Sequence, residues 1–508
     1  MREGFMMEKY QELKGKLASL AALDHSLALM SWDQRTYMPK GGLARRAESL
    51  GVMQRLRHEM FTDKEMGELI KELSGWALER GLDSEEYALL RSVSRGYEKE
   101  MKLPGSLVEN FANASALAFS AWETARAKND WSVFKPHLAE IVALNIQKAN
   151  ALGFPKTPYD ALLDEYEEGF TTADASLLFS ELKRGILPLY KKIRNHGDKV
   201  SADVLKHKTD AALQFRFLNA LAARLGFDFS RGRLDLSAHP FTTGPGLSDM
   251  RITTRVNETW LPSGLYGTIH ECGHAFYAMG VNPEYERTPL VEGASLGFHE
   301  SQSRFWENII GRSRPFCLWL SSLLPEYFPY YKLVSDDDIY RAVNCCTGGD
   351  IRVEADEVSY NLHIMLRFEI ERALVEREIT VDDAPALWDE KTLEYLGKKP
   401  DSVSSGILQD VHWSQGAFGY FPTYTIGNVL SAQIYDKMIS ETGDLSAGIR
   451  RGEFWKIHTW LKRNIWVHGA KYPPKILINR VTGTKLDPKP FLTYIEKKYG
   501  EIYGFQEN

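Results

Sequence analysis

Residues 264–280 have the sequence GLYGTIHECGHAFYAMG, and the rest of the chain can be interpreted around this stretch. Its apolar residues recur at steps of three and four, which is the period of a helix with one buried face. These residues are Leu265, Ile269, Cys272, Phe276 and Met279. Pro262 suits the first turn of such a helix, and Gly280 suits its C-terminal cap. At about 100° per residue, His270 and His274 point away from the apolar stripe, so the pattern predicts a helix between a core and a cleft.

His270, Glu271 and His274 form the pattern HExxH on this predicted helix. Two imidazoles one helical turn apart can bind one zinc ion. The neighbouring carboxylate can take a proton from water that the metal activates, without binding the metal itself. The competing interpretation is a pair of histidines that only cap the core or face solvent.

A catalytic zinc site needs three protein ligands and one open position. Proteases with the extended pattern HExxHxxGxxH take the third ligand from the same segment, but here Tyr277 and Gly280 occupy the corresponding positions. The alternative is a carboxylate from a following helix. Glu300, in the sequence FHES, lies 26 positions after His274 and suits this role. Its competing interpretation is an ordinary surface carboxylate.

Composition indicates a soluble globular protein. The 508 residues are 44% hydrophobic and 26% charged, and the net charge of -6 comes from mixed signs along the chain. We therefore expect neither a nucleic acid nor a membrane as partner. Asp24 and His25 interrupt the most apolar part of the N-terminal region, so we expect no signal peptide. The four cysteines do not form a disulfide framework, which favours a cytoplasmic location.

The fold is predicted to be mostly α, with a small β-sheet beside the candidate site. Residues 6 to about 225 form successive amphipathic helical patterns, and residues 351–378, IRVEADEVSYNLHIMLRFEIERALVERE, indicate another helix. Between them, residues 233–257 alternate with period two around Gly244 and Gly246, which predicts a hairpin-like pair of strands. We expect one domain over residues 1–508, with an N-terminal helical portion of about 1–225 and a metal-binding portion of about 226–508.

Several short motifs follow one another along the chain between Ser31 and Asn428. HECGHA is followed by HESQ, SWDQRTYMPKGG lies early in the sequence, and GYFPTYTIGN is the last of the motifs. The others are His239-Pro240-Phe241, the DxRxT pattern of Asp249, Arg251 and Thr253, the IRxxAD pattern of Ile351, Arg352, Ala355 and Asp356, and GxxQDxHW from Gly406 to Trp413. Together, and in this order, these motifs resemble the Taq-type thermostable metallocarboxypeptidase family, a family of HExxH zinc carboxypeptidases.

The resemblance implies a large, helical, two-lobed and saddle-shaped zincin-like body with a deep groove, of which the N-terminal portion forms one wall. It implies a homodimer that removes C-terminal residues from peptides with broad preference. His270, His274 and Glu300 would bind one divalent metal ion per subunit, zinc or cobalt. Glu271 would be the general base, taking a proton from the activated water and passing it to the leaving amine.

A carboxypeptidase must also recognise the free carboxylate of its substrate, and a guanidinium can bind both carboxylate oxygens. Arg352 is the first candidate, and a helical pair with Asp356 is its competing interpretation. Arg251 on the predicted strand is the weaker candidate. The remaining predicted substrate-binding residues are Asp249, Gln409, Tyr424 and His239, the last as a residue that lines the groove.

Donors for the oxyanion of the tetrahedral intermediate are expected near the end of the matched region. Distantly related helical zinc peptidases such as angiotensin-converting enzyme have a His and then a Tyr-Phe pair after the metal motif. His412 and the pair Tyr420-Phe421 are similar, so Tyr420 is preferred over Tyr424 as a catalytic residue. Related enzymes often have an Asp four residues after the third ligand, but here Arg304 occupies that position. The partner that orients the metal-binding histidines is therefore not identified from the sequence.

Two other functions are compatible with these residues. An endo-oligopeptidase of similar helical plan would need no arginine for a terminal carboxylate, and it would cleave peptides with a C-terminal amide. A metal-stabilised helical scaffold that binds peptides without hydrolysis would be unaffected by Glu271→Gln.

Overall fold

A computed structural model describes residues 2–505, so the ends of the predicted domain, residue 1 and residues 506–508, lie outside the described residues. Within residues 2–505 the chain is mostly helical, as predicted, with twenty α-helices. They are α1 (Arg2–Thr36), α2 (Leu43–Phe61), α3 (Lys64–Glu79), α4 (Glu85–Lys102), α5 (Gly105–Lys128), α6 (Trp131–Leu152), α7 (Pro158–Asp164), α8 (Thr172–Arg194), α9 (Ala211–Leu225), α10 (Leu261–Gly280), α11 (Leu296–Arg304), α12 (Arg314–Tyr327), α13 (Asp336–Val343), α14 (Tyr360–Val375), α15 (Ala384–Leu396), α16 (Pro422–Thr442), α17 (Ser446–Arg450), α18 (Trp455–Asn464), α19 (Pro474–Thr482) and α20 (Lys489–Tyr503).

The chain divides into two compact units, each formed by three stretches of sequence. Within the described residues, unit 1 contains residues 2–101, Ala202–Val343 and Ile434–Thr484, and unit 2 contains Lys102–Ser201, Asn344–Gln433 and residues 485–505. The HExxH helix belongs to unit 1, and the IRxxAD and GxxQDxHW motifs belong to unit 2. The single domain with a division near residue 225 stays a prediction.

The core of unit 1 includes the apolar faces of its first helices. Leu13 of α1, Leu73 of α3 and Val93 of α4 are fully buried in one cluster. None of the helices described between residues 2 and 505 is long and apolar enough to cross a membrane.

The predicted HExxH helix is confirmed as α10, and its start follows the prediction because Pro262 lies in the first turn. The predicted cap at its end is wrong. Gly280 is the last helical residue and Val281 follows in extended conformation. A Cβ on Gly280 would lie 2.6 Å from the ring of Trp466. Glycine is therefore required there for close packing of the indole, and not for a left-handed turn.

The strands form one three-stranded sheet, composed of β1 (Gly232–Leu236), β2 (Thr242–Gly246) and β3 (Asp249–Thr254) in the order β1-β3-β2. The hairpin-like pairing is wrong, because β1 is parallel to β3 and β2 is antiparallel to it. Alternation reports which side chains share a face and not the direction of a neighbouring strand. The residues interpreted as a turn form β2 itself, where a Cβ on Gly244 would lie 2.6 Å from the side chain of Met250.

The helix predicted over residues 351–378 is shorter at its N-terminus than expected. Arg352–Glu354 form a 3-10 turn, and α14 begins only at Tyr360. The carboxylate of Asp356 accepts hydrogen bonds from the backbone N–H groups of Val358 and Ser359, at 3.0 and 2.9 Å. An Asp that binds the backbone in this way competes with helix formation and favours a helix start.

Candidate active site

Three side chains of unit 1 bring potential metal ligands together. Glu300 Oε2 lies 3.8 Å from His270 Nε2 and 3.6 Å from His274 Nε2. These separations are too long for hydrogen bonds, but ligands about 2.0–2.2 Å from a tetrahedral ion lie roughly 3.3–3.6 Å apart. Among the described residues this is the one cluster of at least three His, Cys, Asp or Glu side chains with such geometry. Two imidazoles and a carboxylate fit a zinc-type site.

Close contact between α10 and α11 explains why a residue distant in sequence joins the two histidines. Gly273 lies between His270 and His274 on α10, and a Cβ there would lie 2.6 Å from backbone atoms of Gln302 and Ser303 on α11. Only glycine allows the two helix backbones to approach so closely. Glu300 lies on α11 about one turn before this close contact, and its side chain is therefore beside the two histidines.

Glu307 is the partner of His270 that the sequence did not identify. Its Oε2 lies 2.9 Å from His270 Nδ1, on the opposite side of the ring from Glu300. Arg304 links the two carboxylates by donating from Nε to Glu300 Oε1 at 2.7 Å and from Nη1 to Glu307 Oε2 at 3.1 Å. A carboxylate at the second nitrogen of a metal-binding histidine orients the ring and raises its basicity.

The spacing between Glu300 and Glu307 is a sequence signal for this partner. Glu307 follows Glu300 by seven residues, or about two helical turns, in the π-helical turn Phe305–Ile310. Burial acts to raise the pKa of Glu307, but Arg304 and His270 outweigh it and hold the pKa well below its usual range. Glu307 is therefore a carboxylate, and it accepts a hydrogen bond from Nδ1–H of His270.

His274 has a second imidazole beside it. Its Nδ1 lies 3.3 Å from Nδ1 of His299, whose ring centroid is 4.8 Å from that of Tyr277. Burial lowers the pKa of His274 well below its ordinary value and lowers the pKa of His299 to about 4. Both rings are therefore neutral near pH 7. His299 immediately precedes Glu300, and no spacing rule for metal-binding motifs singles out this position.

Glu271 is buried next to the candidate ligands but is not one of them. Its Oε2 accepts a hydrogen bond of 2.6 Å from the hydroxyl of Thr242 on β2. Burial raises the pKa of Glu271 to about 6. The sheet thus fixes the carboxylate of the HExxH motif, and Thr242 is another functional candidate that the sequence did not indicate.

Arg352 in unit 2 belongs to a buried charge cluster centred on Asp410. Its Nε and Nη2 donate to Asp410 Oδ1 at 3.0 and 2.8 Å, and its Nη1 donates to the hydroxyl of Tyr360 at 2.8 Å. Arg367 Nε donates to Asp410 Oδ2 at 2.7 Å. The alternative pairing with Asp356 is wrong, because Arg352 precedes the helix and its carboxylate partner is Asp410.

This cluster carries one more positive than negative charge, since two guanidinium groups share one carboxylate. Burial acts to raise the pKa of Asp410, but Arg352 and Arg367 overcome this effect and hold the pKa far below its usual range. Burial also lowers the pKa of Arg367, and the positive charge of Arg352 lowers it further. The cluster would be stabilised by an additional anion.

His412, Tyr420 and Tyr424 lie together in unit 2. Nε2 of His412 is 3.3 Å from the hydroxyl of Tyr424, and the ring centroids of His412 and Tyr420 are 5.4 Å apart. Tyr420 also contacts Tyr166 edge to face at 5.3 Å. Burial lowers the pKa of His412 to about 3, despite the nearby Asp410. His412 is therefore neutral and can act as a hydrogen-bond donor or acceptor.

The amide of Gln409 binds backbone groups on both of its ends. Oε1 accepts from the N–H of Arg352 at 2.8 Å, and Nε2 donates to the carbonyl groups of Asp350 and Ser405 at 3.1 and 2.8 Å. Gln409 thus fixes the backbone of Arg352, and its role in substrate binding stays a prediction.

The candidates on and beside the sheet form a separate group in unit 1. Arg251 makes two hydrogen bonds to Asp249 on the same strand, at 2.9 and 3.0 Å, and its guanidinium lies 4.3 Å from the ring centroid of Trp32. His239 is exposed, and its carbonyl oxygen accepts a hydrogen bond from Ser237. The predicted substrate contacts of Asp249, Arg251 and His239 remain predictions.

A mostly helical fold with an HExxH helix and a carboxylate from the next helix defines a metallopeptidase of the zincin type. The chain belongs to the carboxypeptidase Taq (M32) metallopeptidase family, whose family model matches residues 12–499.

Known carboxypeptidases are similar to this chain over nearly its whole length. Thermostable carboxypeptidase 1 of Thermus thermophilus is 40% identical over 502 residues, which cover 97% of this chain and 98% of that protein. Carboxypeptidase 1 of Bacillus subtilis is 38% identical over 490 residues, covering 96% and 97%. The crystal structure of an M32 carboxypeptidase from Deinococcus radiodurans has a TM-score of 0.94 at 36% identity, with coverage of 98% and 100%. A Pyrococcus furiosus carboxypeptidase structure has a TM-score of 0.93 at 37% identity, with coverage of 97% and 99%.

The chain is therefore a metallocarboxypeptidase, a hydrolase that uses a divalent metal and acts on peptides. The predicted family and the mostly helical fold with a small sheet are confirmed. These findings favour the carboxypeptidase prediction over both the endo-oligopeptidase and the non-catalytic scaffold.

Proposed function

We propose that this carboxypeptidase removes residues one at a time from the C-terminus of peptides, with broad preference, at a site formed by His270, His274 and Glu300. The observation that carries this proposal is the convergence of Nε2 of both histidines on one oxygen of Glu300. A zinc or cobalt ion bound there, one per subunit, would activate water and polarise the scissile carbonyl group.

Glu271 acts as general base in this proposal. It takes a proton from the attacking water and delivers it to the leaving amine. Its burial and a pKa raised to about 6 support this role, because the carboxyl group can then both accept and release a proton near neutral pH. The hydroxyl of Thr242 holds one carboxylate oxygen and leaves the other for the proton transfer.

Glu307 and Arg304 hold the candidate ligands in place. Glu307 fixes the ring of His270 through Nδ1, and Arg304 fixes the carboxylate of Glu300. These contacts leave Nε2 of His270 and Oε2 of Glu300 available for the metal.

Arg352 recognises the terminal carboxylate of the substrate, with Arg367 as its neighbour. The charge balance of the two candidate arginines supports this choice. Arg251 forms a neutral one-to-one pair with Asp249, whereas Arg352 and Arg367 share Asp410 and keep a net positive charge. A substrate carboxylate would neutralise that buried charge.

Tyr420 and His412 supply hydrogen bonds to the oxyanion of the tetrahedral intermediate, and Tyr424 contributes to substrate binding. His412 is neutral near pH 7 because burial lowers its pKa to about 3. Tyr424 lies within 3.3 Å of His412 Nε2 and influences its orientation. Donors fixed before the reaction stabilise developing charge most effectively.

The chain is further proposed to be a cytoplasmic homodimer. The location is supported by the four free cysteines, which suit a reducing compartment. The resemblance to the family supports the dimer.

The test is mass spectrometry over time of an N-blocked peptide of about ten residues, in which an extended strand-like segment precedes the free C-terminus. The metal-loaded enzyme is compared on the free acid and on the C-terminal amide, with Glu271→Gln as control. We expect a ladder that loses one C-terminal residue at a time and is absent with both the amide and the variant. Internal cleavage that ignores the amide would contradict the proposal.

A further inference from the structure

Glu371 is a fully buried carboxylate in unit 2 to which the proposed chemistry gives no role. It lies on α14 and has no exposed surface. Its Oε1 accepts from the indole N–H of Trp413 at 2.8 Å, and its Oε2 accepts from the hydroxyl of Tyr159 at 2.6 Å and from the backbone N–H of Gly419 at 3.0 Å. Three donors thus converge on one carboxylate.

Two of these donors belong to the segment that carries the proposed oxyanion donors. Trp413 directly follows His412, and Gly419 directly precedes Tyr420. Gly419 has φ of 85°, and a Cβ there would lie 2.6 Å from the carbonyl group of Leu162 on α7. Glycine is required at this point, and the chain lies between the backbone of α7 and the carboxylate of Glu371.

α14 also holds the beginning of the same segment. Arg367 precedes Glu371 by four residues, so both side chains lie on one face of the helix. Arg367 binds Asp410, two residues before His412. The segment of residues 410–420 is therefore fixed at Asp410, at Trp413 and at Gly419 by two adjacent buried side chains of α14.

We propose that Glu371 is a positioning residue of the peptidase reaction: it fixes the segment of residues 410–420 so that His412 and Tyr420 keep the orientation that oxyanion stabilisation requires. This inference rests on the roles of His412 and Tyr420 in the proposed function. Glu371 acts through the backbone and the indole and does not contact the reacting atoms.

A carboxylate is needed because all three neighbours donate. Glutamine at this position has the same shape, but its NH2 group would face either the indole of Trp413 or the N–H of Gly419. In both orientations a donor of the segment loses its acceptor and meets another donor. Burial raises the pKa of Glu371 to about 7, which reflects the cost of keeping a charge where these three donors require it.

The first experiment compares Glu371→Gln with wild-type enzyme in steady-state kinetics on a peptide with a free C-terminus. We expect kcat to fall about 10- to 100-fold, because small displacements of catalytic groups cause losses of this size. KM and the amount of bound metal should change little. Glu369→Gln on the same helix is the matched control, since its carboxylate binds Tyr395 and Lys391 away from the segment. It should retain wild-type kcat.

Two further variants separate positioning from general stability. Trp413→Phe removes one hydrogen bond between Glu371 and the segment, so its loss of kcat should not add to that of Glu371→Gln. Tyr159→Phe removes a hydrogen bond to Glu371 that does not involve the segment, and kcat should stay close to wild type. Equal losses of kcat in Tyr159→Phe and Trp413→Phe that follow the loss of thermal stability would overturn the proposal.

Tyr420→Phe distinguishes this inference from the proposed function on which it rests. If Tyr420→Phe keeps full kcat, the role of Tyr420 fails whatever Glu371→Gln does. Wild-type kcat in Glu371→Gln, together with a strong loss in Tyr420→Phe, overturns the role of Glu371 alone. A loss of kcat in both, no greater in the double variant than in Tyr420→Phe, supports positioning through Tyr420.

Discussion

The candidate metal cluster of unit 1 and the arginine cluster of unit 2 differ in how their charges are satisfied. In the metal cluster, Nε2 of His270 and Nε2 of His274 lie 3.8 and 3.6 Å from Oε2 of Glu300, too far for hydrogen bonds. In the arginine cluster, Arg352 and Arg367 each donate directly to Asp410 at hydrogen-bond distance.

The difference indicates two ways of preparing a site for an ion. In the metal cluster, acceptor atoms lie close together and repel one another until a cation lies between them. Glu307 binds the other ring nitrogen of His270, and Arg304 binds the other carboxylate oxygen of Glu300, so both side chains are held in place. The arginine cluster is a closed network with one surplus positive charge, so it can attract an anion without losing its own structure. Removing a group should therefore affect metal binding at the first cluster and substrate selection at the second.

Replacing the base without touching the metal ligands should produce the largest effect. Glu271→Gln keeps the shape and the hydrogen bond from Thr242 but cannot accept a proton. We expect kcat to fall about 10³-fold with full metal content, measured by elemental analysis of the purified protein. Glu300→Gln is the comparison, and it should lose metal as well as activity. Loss of metal from Glu271→Gln would show that Glu271 also supports metal binding, and would contradict its assignment as a base that is not a ligand.

Replacing an arginine tests which cluster recognises the substrate carboxylate. Arg352→Gln should lower kcat/KM on free-acid peptides about 10²- to 10³-fold and abolish the preference over C-terminal amides. Metal content should stay unchanged. Arg251→Gln is the matched control because its guanidinium is already paired one to one with Asp249. If Arg251→Gln abolishes the preference and Arg352→Gln does not, the assignment is reversed.

The same difference explains which parts could be predicted from the sequence. His270 and His274 are one turn apart on a single helix, so local periodicity was sufficient to place them on one face. Glu300 required the family motif, since its approach depends on Gly273 allowing close contact between α10 and α11. Pairs such as Arg352 with Asp410 are separated by more than fifty residues, and no local pattern gives such contacts.

Local patterns also failed where a side chain rather than the backbone determined the structure. Asp356 ends the predicted helix early by binding backbone N–H groups. Gly280 was expected to cap α10, but the ring of Trp466 requires the space beside it. The helical content was predictable because periodicity extends over many turns, whereas strand direction was not, because alternation is the same for parallel and antiparallel neighbours.

The buried carboxylate of unit 2 should make stability depend on pH in a defined direction. Burial raises the pKa of Glu371 from 4.5 to about 7, a difference that corresponds to at most about 3 kcal/mol. The folded protein therefore binds more protons than the unfolded chain in this range, and stability falls as pH rises from about 4.5 to about 7. Glu371→Gln should lack this component, which denaturant midpoints at pH 5 and pH 8 would measure. Parallel pH profiles of the two proteins would contradict the expectation.

Removing the support behind His270 should weaken metal binding without removing a ligand. Glu307→Ala is expected to lower metal affinity about 10- to 100-fold, measured by competition with a chelator. Glu307→Gln should lose less, because its amide oxygen can still accept from Nδ1–H of His270. Glu326→Gln serves as control, since that carboxylate pairs with Arg224 at the surface. Equal affinities for all three variants would show that the contact with Glu307 does not support the metal.

The smallest expected effect concerns the hydroxyl that holds the proposed base. Thr242→Val keeps the side-chain volume and removes the donor to Glu271 Oε2 at 2.6 Å. Loss of one such hydrogen bond corresponds to about 1 kcal/mol, or about a 5-fold decrease in kcat/KM. Thr242→Ser should restore most of the activity. Metal affinity should be unchanged in both variants, because the hydroxyl of Thr242 donates to Glu271 and not to His270, His274 or Glu300 within the described residues. A change in metal affinity would mean that β2 supports the ligands as well as the base, and the separation of the two functions within unit 1 would then be lost.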